Sequence, residues 1–143
     1  MSAKLIVKNF IVFALVLLWV YAAASKTMEF KMFKVQMNRQ ALPLFLKESL
    51  VYVLPPLEIL TVGLLLSEKT LTSGLCLSAI LLSVFTAYIG LAVFKILDKV
   101  PCSCGGILSS MGWNVHFIFN LIFLLLTFIG IYVFRRERRA GVL

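Results

Sequence analysis

VHFIFNLIFLLLTFIGIYVF, residues Val115–Phe134, contains no Lys, Arg, Asp or Glu and runs straight into Arg135-Arg136-Glu137-Arg138-Arg139. A hydrocarbon core takes about 20 residues of helix to cross. The stretch therefore reads as a membrane span with a basic stop at its end. Three further runs of similar character precede it: about Leu5–Ala24, Ser49–Leu66 and Leu71–Leu97. The second is interrupted by Pro55, Pro56 and Glu58, and only Ser67-Glu68-Lys69-Thr70, a tight turn, separates it from the third. The fold expected is all-α, a polytopic membrane four-helix bundle forming one domain over residues 1–143.

Composition agrees. Hydrophobic residues make up 62% of the chain and charged residues 14%, against roughly 45–50% and 25% in soluble domains. A water-soluble fold of this length could not cover that much apolar side chain, whereas a lipid bilayer removes the need. The net charge of +8 does not point to nucleic acid. The bases sit at the ends of apolar runs and in one amphipathic stretch, where cations meet lipid headgroups. No hydrolytic triad, nucleotide loop or covalent haem motif is present, and the sequence carries no signal for an oligomeric state.

The first run also has signal-peptide features. Lys4 and Lys8 form a positive n-region, and Ala22-Ala23-Ala24-Ser25 reads as a small-residue cleavage site. Its apolar stretch exceeds the about 7–15 residues of a secretory h-region, so a retained span is expected. Cleavage would leave three spans. In residues 28–47, Phe30, Phe33, Met37 and Ala41 recur at helical spacing, with Lys31, Lys34 and Asn38 opposite. This predicts an amphipathic helix in the membrane interface between spans one and two, ended by Pro43. Contact with lipid headgroups and simple packing on the bundle both fit it.

Charge does not settle orientation. With both termini cytoplasmic, Lys4, Lys8, Lys69, Arg135, Arg136, Arg138 and Arg139 lie inside. Lys26, Lys31, Lys34, Arg39, Lys47, Lys95 and Lys99 then lie outside, an equal number. The arginines abutting the last span favour cytoplasmic termini.

Pro101-Cys102-Ser103-Cys104-Gly105-Gly106 lies between spans three and four. Cysteines one residue apart can come within the roughly 4.4–6.8 Å between Cα atoms that a disulfide tolerates, in a small strained ring. Strain favours exchange over stapling, and the proline and glycines permit the bend. A redox-active pair, a soft-metal pair and a static pair all remain open. Cys76, 26 residues before Cys102 and roughly 39 Å away at helical rise, reads as a small packing residue.

Glu58, Tyr88 and Asn120 each fall roughly 12–14 Å below the same membrane boundary at helical rise and can share a layer. His116 lies one turn above Asn120, and Lys26 sits where it can snorkel to the interface. Glu58 and His116 fit a proton route serving thiol chemistry, and equally a polar network that fixes helix register. Trp113 and Tyr132 have the positions of interfacial belt residues.

Taken together, Ala24-Ser25-Lys26 closing the first span, Leu54-Pro55-Pro56-Leu57-Glu58 in the second, and Pro101-Cys-Ser-Cys-Gly-Gly106 followed by Trp113, His116, Phe119 and Asn120 resemble the MauE/DoxX group of bacterial membrane proteins. The MauE-like branch is the nearer. The resemblance covers roughly residues 5–134. It implies a redox-associated protein of the bacterial inner membrane, with Cys102 and Cys104 exchanging disulfides on the extracytoplasmic side. The partner it implies is a thioredoxin-like protein or a secreted client whose maturation needs disulfides. It does not carry a methylamine substrate to this chain. Membrane thiol oxidases that reduce quinone commonly hold two cysteine pairs, and this chain has one plausible pair. Either Cys102 and Cys104 serve both partner and quinone, or the chain relays disulfides without a quinone. From a different class, Cys102, Cys104 and His116, with Met28, Met32 or Met37, would suit copper or another soft metal. A non-catalytic assembly subunit is the third reading.

Overall fold

The computed structural model describes residues 3–39, 42–94 and 112–141. Among them are five helices: α1 (Ala3–Met28), α2 (Phe30–Asn38), α3 (Leu44–Leu66), α4 (Leu71–Val93) and α5 (Trp113–Arg139). Four of these, α1, α3, α4 and α5, are long and apolar enough to cross a membrane, and the protein is a multi-pass membrane protein. α1 packs on α3 and α5, α3 on α4, and α4 on α5, which closes a ring of four spans.

Each helix turns one stripe inward. On α1 the buried residues include Lys8, Ile11, Leu15, Trp19, Ala22 and Lys26, a spacing of three and four that follows the helical period. On α3 they include Val51, Leu54, Glu58, Thr61 and Leu65. The outward faces carry large apolar residues instead, Phe10, Phe13, Ile59, Ile80 and Phe128 among them, as lipid contact requires. Trp19 ties α1 to α4: its Nε1 donates to Ser78 Oγ at 2.9 Å, with both side chains buried.

α3 runs unbroken through Pro55 and Pro56. Proline lacks an N–H, which costs the helix its bonds to the Val51 and Tyr52 carbonyls. Neighbouring spans let membrane helices absorb such losses. The α3–α4 turn is closed by Thr70, whose Oγ1 donates to Leu64 O at 2.9 Å and whose N–H donates to Ser67 O at 3.1 Å. One turn into α4, Gly74 lets the backbones touch. A Cβ there would lie 2.9 Å from both Leu64 C and Leu65 N.

α2 lays Phe33 and Met37 against Val51 and Leu54 of α3, while Lys31 and Lys34 are exposed. Its apolar face is thus spent on the bundle; Ala41, the last residue of the predicted stripe, lies outside the described residues.

At the opposite end, Lys8 is 2% exposed, with Nζ 3.2 Å from Glu68 Oε1 and 3.9 Å from Glu137 Oε2. It also stands over the Phe134 ring, 5.7 Å from the centroid. One side chain from the start of α1 thereby meets the α3–α4 turn and the end of α5. The start of α1 and the end of α5 share one end of the bundle with the α3–α4 turn, and the end of α4 and the start of α5 lie at the other.

Candidate functional site

The polar residues of the other end converge from α1, α3 and α5. Lys26 is the last member of the inward stripe of α1, five turns after Lys8 and so at the same angle around the axis. It is 3% exposed. The expectation that it snorkels to the interface is therefore corrected: its Nζ donates to Glu58 Oε1 at 2.8 Å and to Ala22 O at 3.3 Å. It also stands 5.8 Å from the centroid of Phe33 on α2. Glu58 is wholly buried, and its Oε2 has no hydrogen-bond partner among the described residues.

His116 and Asn120 stand one turn apart on the inward face of α5, 1% and 5% exposed. With Glu58, Trp19 and Phe85 they line a space of about 20 Å³, enough for one water molecule. The structure thus brings together Glu58, His116 and Asn120 and adds Lys26, which the reading by sequence had left at the surface. Tyr88 lines a neighbouring cavity together with Lys26. Phe85 forms part of both walls. The signal for Lys26 was present in the sequence: it keeps phase with Ile11, Leu15 and Trp19, and its position near the end of an apolar run concealed that.

A charge removed from water costs several kcal/mol unless it is paired and hydrogen-bonded, and ionisable groups within spans face the bundle interior and find partners. Lys26 and Glu58 meet both conditions. What they leave over is one carboxylate oxygen, next to an imidazole, a carboxamide and room for a water. Such a group of acid, base and amide can hold or pass a proton without opening the bundle to solvent.

Cys102 and Cys104 lie outside the described residues. Cys76, a free thiol, is half-buried in the second turn of α4, at the end of the bundle where Lys8 sits. Of the methionines considered as soft ligands, Met28 and Met32 are exposed and Met37 is buried against α3. Among the described residues no three His, Cys, Asp or Glu side chains form a metal-sized group. Tyr132 is exposed near the end of α5, and its hydroxyl accepts from Arg136 at 3.4 Å.

The family described as "Methylamine utilisation protein MauE" matches residues 4–133, nearly the whole chain. The chain belongs to the MauE family. The match reaches into all four spans and includes the α2 packing helix and the positions of Cys102 and Cys104. No curated protein and no solved structure matches the chain. A member of a membrane family with a buried ionic centre is thus in hand, and membership is consistent with a redox-associated role.

Proposed function

We propose that this MauE-family protein works in thiol–disulfide exchange at the bacterial inner membrane, with Cys102 and Cys104 as the exchanging pair. Both termini are cytoplasmic in this reading. The cysteine segment faces the extracytoplasmic side, where disulfides persist and a thioredoxin-like protein or a secreted client can reach it.

The observation that carries the reading is the sealed cluster of Lys26, Glu58, His116 and Asn120. It lies in the half of the bundle that holds the end of α4 and the start of α5. Thiol exchange is proton-coupled, because the thiolate is the attacking form. One cysteine thiolate attacks a partner disulfide and displaces a partner thiolate. The second then attacks the mixed disulfide, releasing the dithiol partner and leaving Cys102–Cys104 oxidised. Two electrons move between the proteins, no outside oxidant enters, and the two protons given up by the loop thiols end on the partner's. The reverse direction uses the same steps. Glu58 and His116 buffer those protons in this reading.

The test is alkylation in intact cells with a membrane-impermeant maleimide, before and after reduction, read by mass spectrometry. Cys102 and Cys104 should label only after reduction, and Cys76 only after the membrane is permeabilised. Loop cysteines that stay reduced in cells and carry a stoichiometric metal would replace this reading with soft-metal binding. Labelling of the loop only from the cytoplasmic side would overturn the orientation.

A further inference from the structure

Beside the ionic centre lies a second, larger cavity of about 200 Å³. Phe33 and Met37 of α2, Leu54 of α3 and Phe85 of α4 form its apolar walls, and Lys26 and Tyr88 are the lining residues with polar side chains. Val84, also on the wall, is 59% exposed on the outward face of α4, so the cavity borders the surface that lipid covers.

We propose that this cavity binds a membrane-soluble quinone, its ring between the apolar walls and one carbonyl oxygen directed at the Lys26 ammonium. The size fits, since a cavity of about 150 Å³ lined by aliphatic and aromatic side chains takes up benzene, and 200 Å³ leaves room for ring substituents. The chemistry of the polar wall narrows the choice. A lysine ammonium has three protons and no acceptor. Glu58 and Ala22 take two of them, which leaves one to donate to a ligand. Tyr88 brings a phenolic hydroxyl. A ligand that accepts hydrogen bonds at one edge and is otherwise apolar matches this wall. A phosphate or carboxylate head does not, because Glu58 already neutralises Lys26 at 2.8 Å and a second anion would be repelled. A bare acyl chain would leave the lysine proton unanswered. Lateral entry past Val84 suits a ligand that is already dissolved in the bilayer.

Lys26 is shared between the two spaces: it lines the cavity, while its partner Glu58 lines the small space with His116 and Asn120. A proton can therefore pass from the ionic centre toward the carbonyl oxygen. If the thiol-exchange reading also holds, the chemistry balances. Cys102 and Cys104 lose two electrons and two protons as one S–S bond forms, and the quinone gains both to become the hydroquinone. Only this last step rests on that reading; binding does not.

The experiment is a calorimetric titration of the purified full-length protein, in quinone-free phosphatidylcholine nanodiscs, with a short-chain alkyl benzoquinone. The comparison ligand is an alkyl cyclohexane of the same chain length without oxygen. Saturable one-to-one binding of the quinone, at least tenfold tighter than the oxygen-free ligand, is expected. Val84→Trp fills the mouth from a side chain that is mostly outside the core and should weaken binding at least tenfold without lowering the melting temperature. Leu50→Trp, from the α3 side of the cavity, is the second blocking variant. Equal affinity for the two ligands, or unchanged quinone affinity in both blocked variants, overturns the proposal; should neither variant fold, the ligand comparison decides alone. Protein carrying Cys102→Ser and Cys104→Ser should bind as the parent does. A failed thiol assay with intact binding thus condemns only the exchange reading, and the converse condemns only the cavity.

Discussion

Replacing Lys26 by methionine removes one partner of an ion pair in which the two side chains are 3% and 0% exposed and 2.8 Å apart. Methionine is unbranched and flexible enough to fill the space of the lysine stem, so the change is chiefly one of charge. Glu58 is left with both oxygens buried and no cation beside it. Breaking a buried pair from one side costs about 3–5 kcal/mol, whereas replacing both partners by apolar residues of similar volume is often neutral or stabilising. Lys26→Met and Glu58→Met should each therefore destabilise by about 3–5 kcal/mol, at least a hundredfold in the unfolding equilibrium. The double variant should return to within about 1 kcal/mol of the parent. Glu58→Gln, which keeps size and an acceptor but strands the ammonium, should behave as the single variants do. The assay is reversible unfolding in mixed micelles, followed by far-ultraviolet circular dichroism and Trp emission. Additivity is the outcome that refutes the reasoning: a double variant as unstable as the two single losses combined means that the pair is not coupled.

Gly74→Ala should destabilise by about 1–3 kcal/mol, the usual cost of overpacking, because its Cβ meets α3 backbone atoms at 2.9 Å. Gly63→Ala, with open space at its Cβ, should be neutral or stabilise by up to about 1 kcal/mol; the same unfolding assay compares them. Lys8→Met should cost more than Glu68→Ala, because the first strands Glu137 at 7% exposure while Glu68 is 64% exposed. A loss of about 1 kcal/mol or less is expected for Glu68→Ala, and a larger loss there than in Lys8→Met would contradict the clamp. Cys76→Ala should leave thiol trapping and disulfide turnover as they are, which a non-reducing gel of alkylated cell extracts will show.

The spans were legible because a bilayer imposes length and apolarity together, and few 143-residue chains meet both four times by accident. α1 nevertheless extends to Met28, past the point near Ala24 where the small residues suggested an end. It does so because Lys26 faces inward and the helix continues beneath it. Glu58 stood out in the sequence as a carboxylate within a span, but its partner did not. The distance of Lys26 from the end of the run points to the interface, whereas its angle around the helix points inward. Tyr88 shows how far depth alone carries. Rise per residue assigns depth, and depth alone groups Tyr88 with Glu58 and Asn120. The angle that puts Tyr88 on the larger cavity depends on which helices flank α4, and no single segment encodes that.

The two lysines of α1 also separate a structural role from a functional one. Both occupy the inward stripe, five turns and about 27 Å apart, and each binds acids from other elements at its own end of the bundle. Lipid offers no hydrophobic driving force between helices, so the apolar stripe between them does little to hold α1 in register. Sliding α1 by one turn would strip both lysines of their partners, and the ionic contacts at either end resist it. For register alone the arrangement at Lys8 suffices, with Glu68 open to solvent and its charge cheaply held. The Lys26–Glu58 pair is sealed, which costs more desolvation than register demands. It also sits between a space for one water and a cavity that opens toward lipid. A contact that is dearer than its structural duty requires, set between these two spaces, is the feature of this bundle on which the proposed chemistry rests.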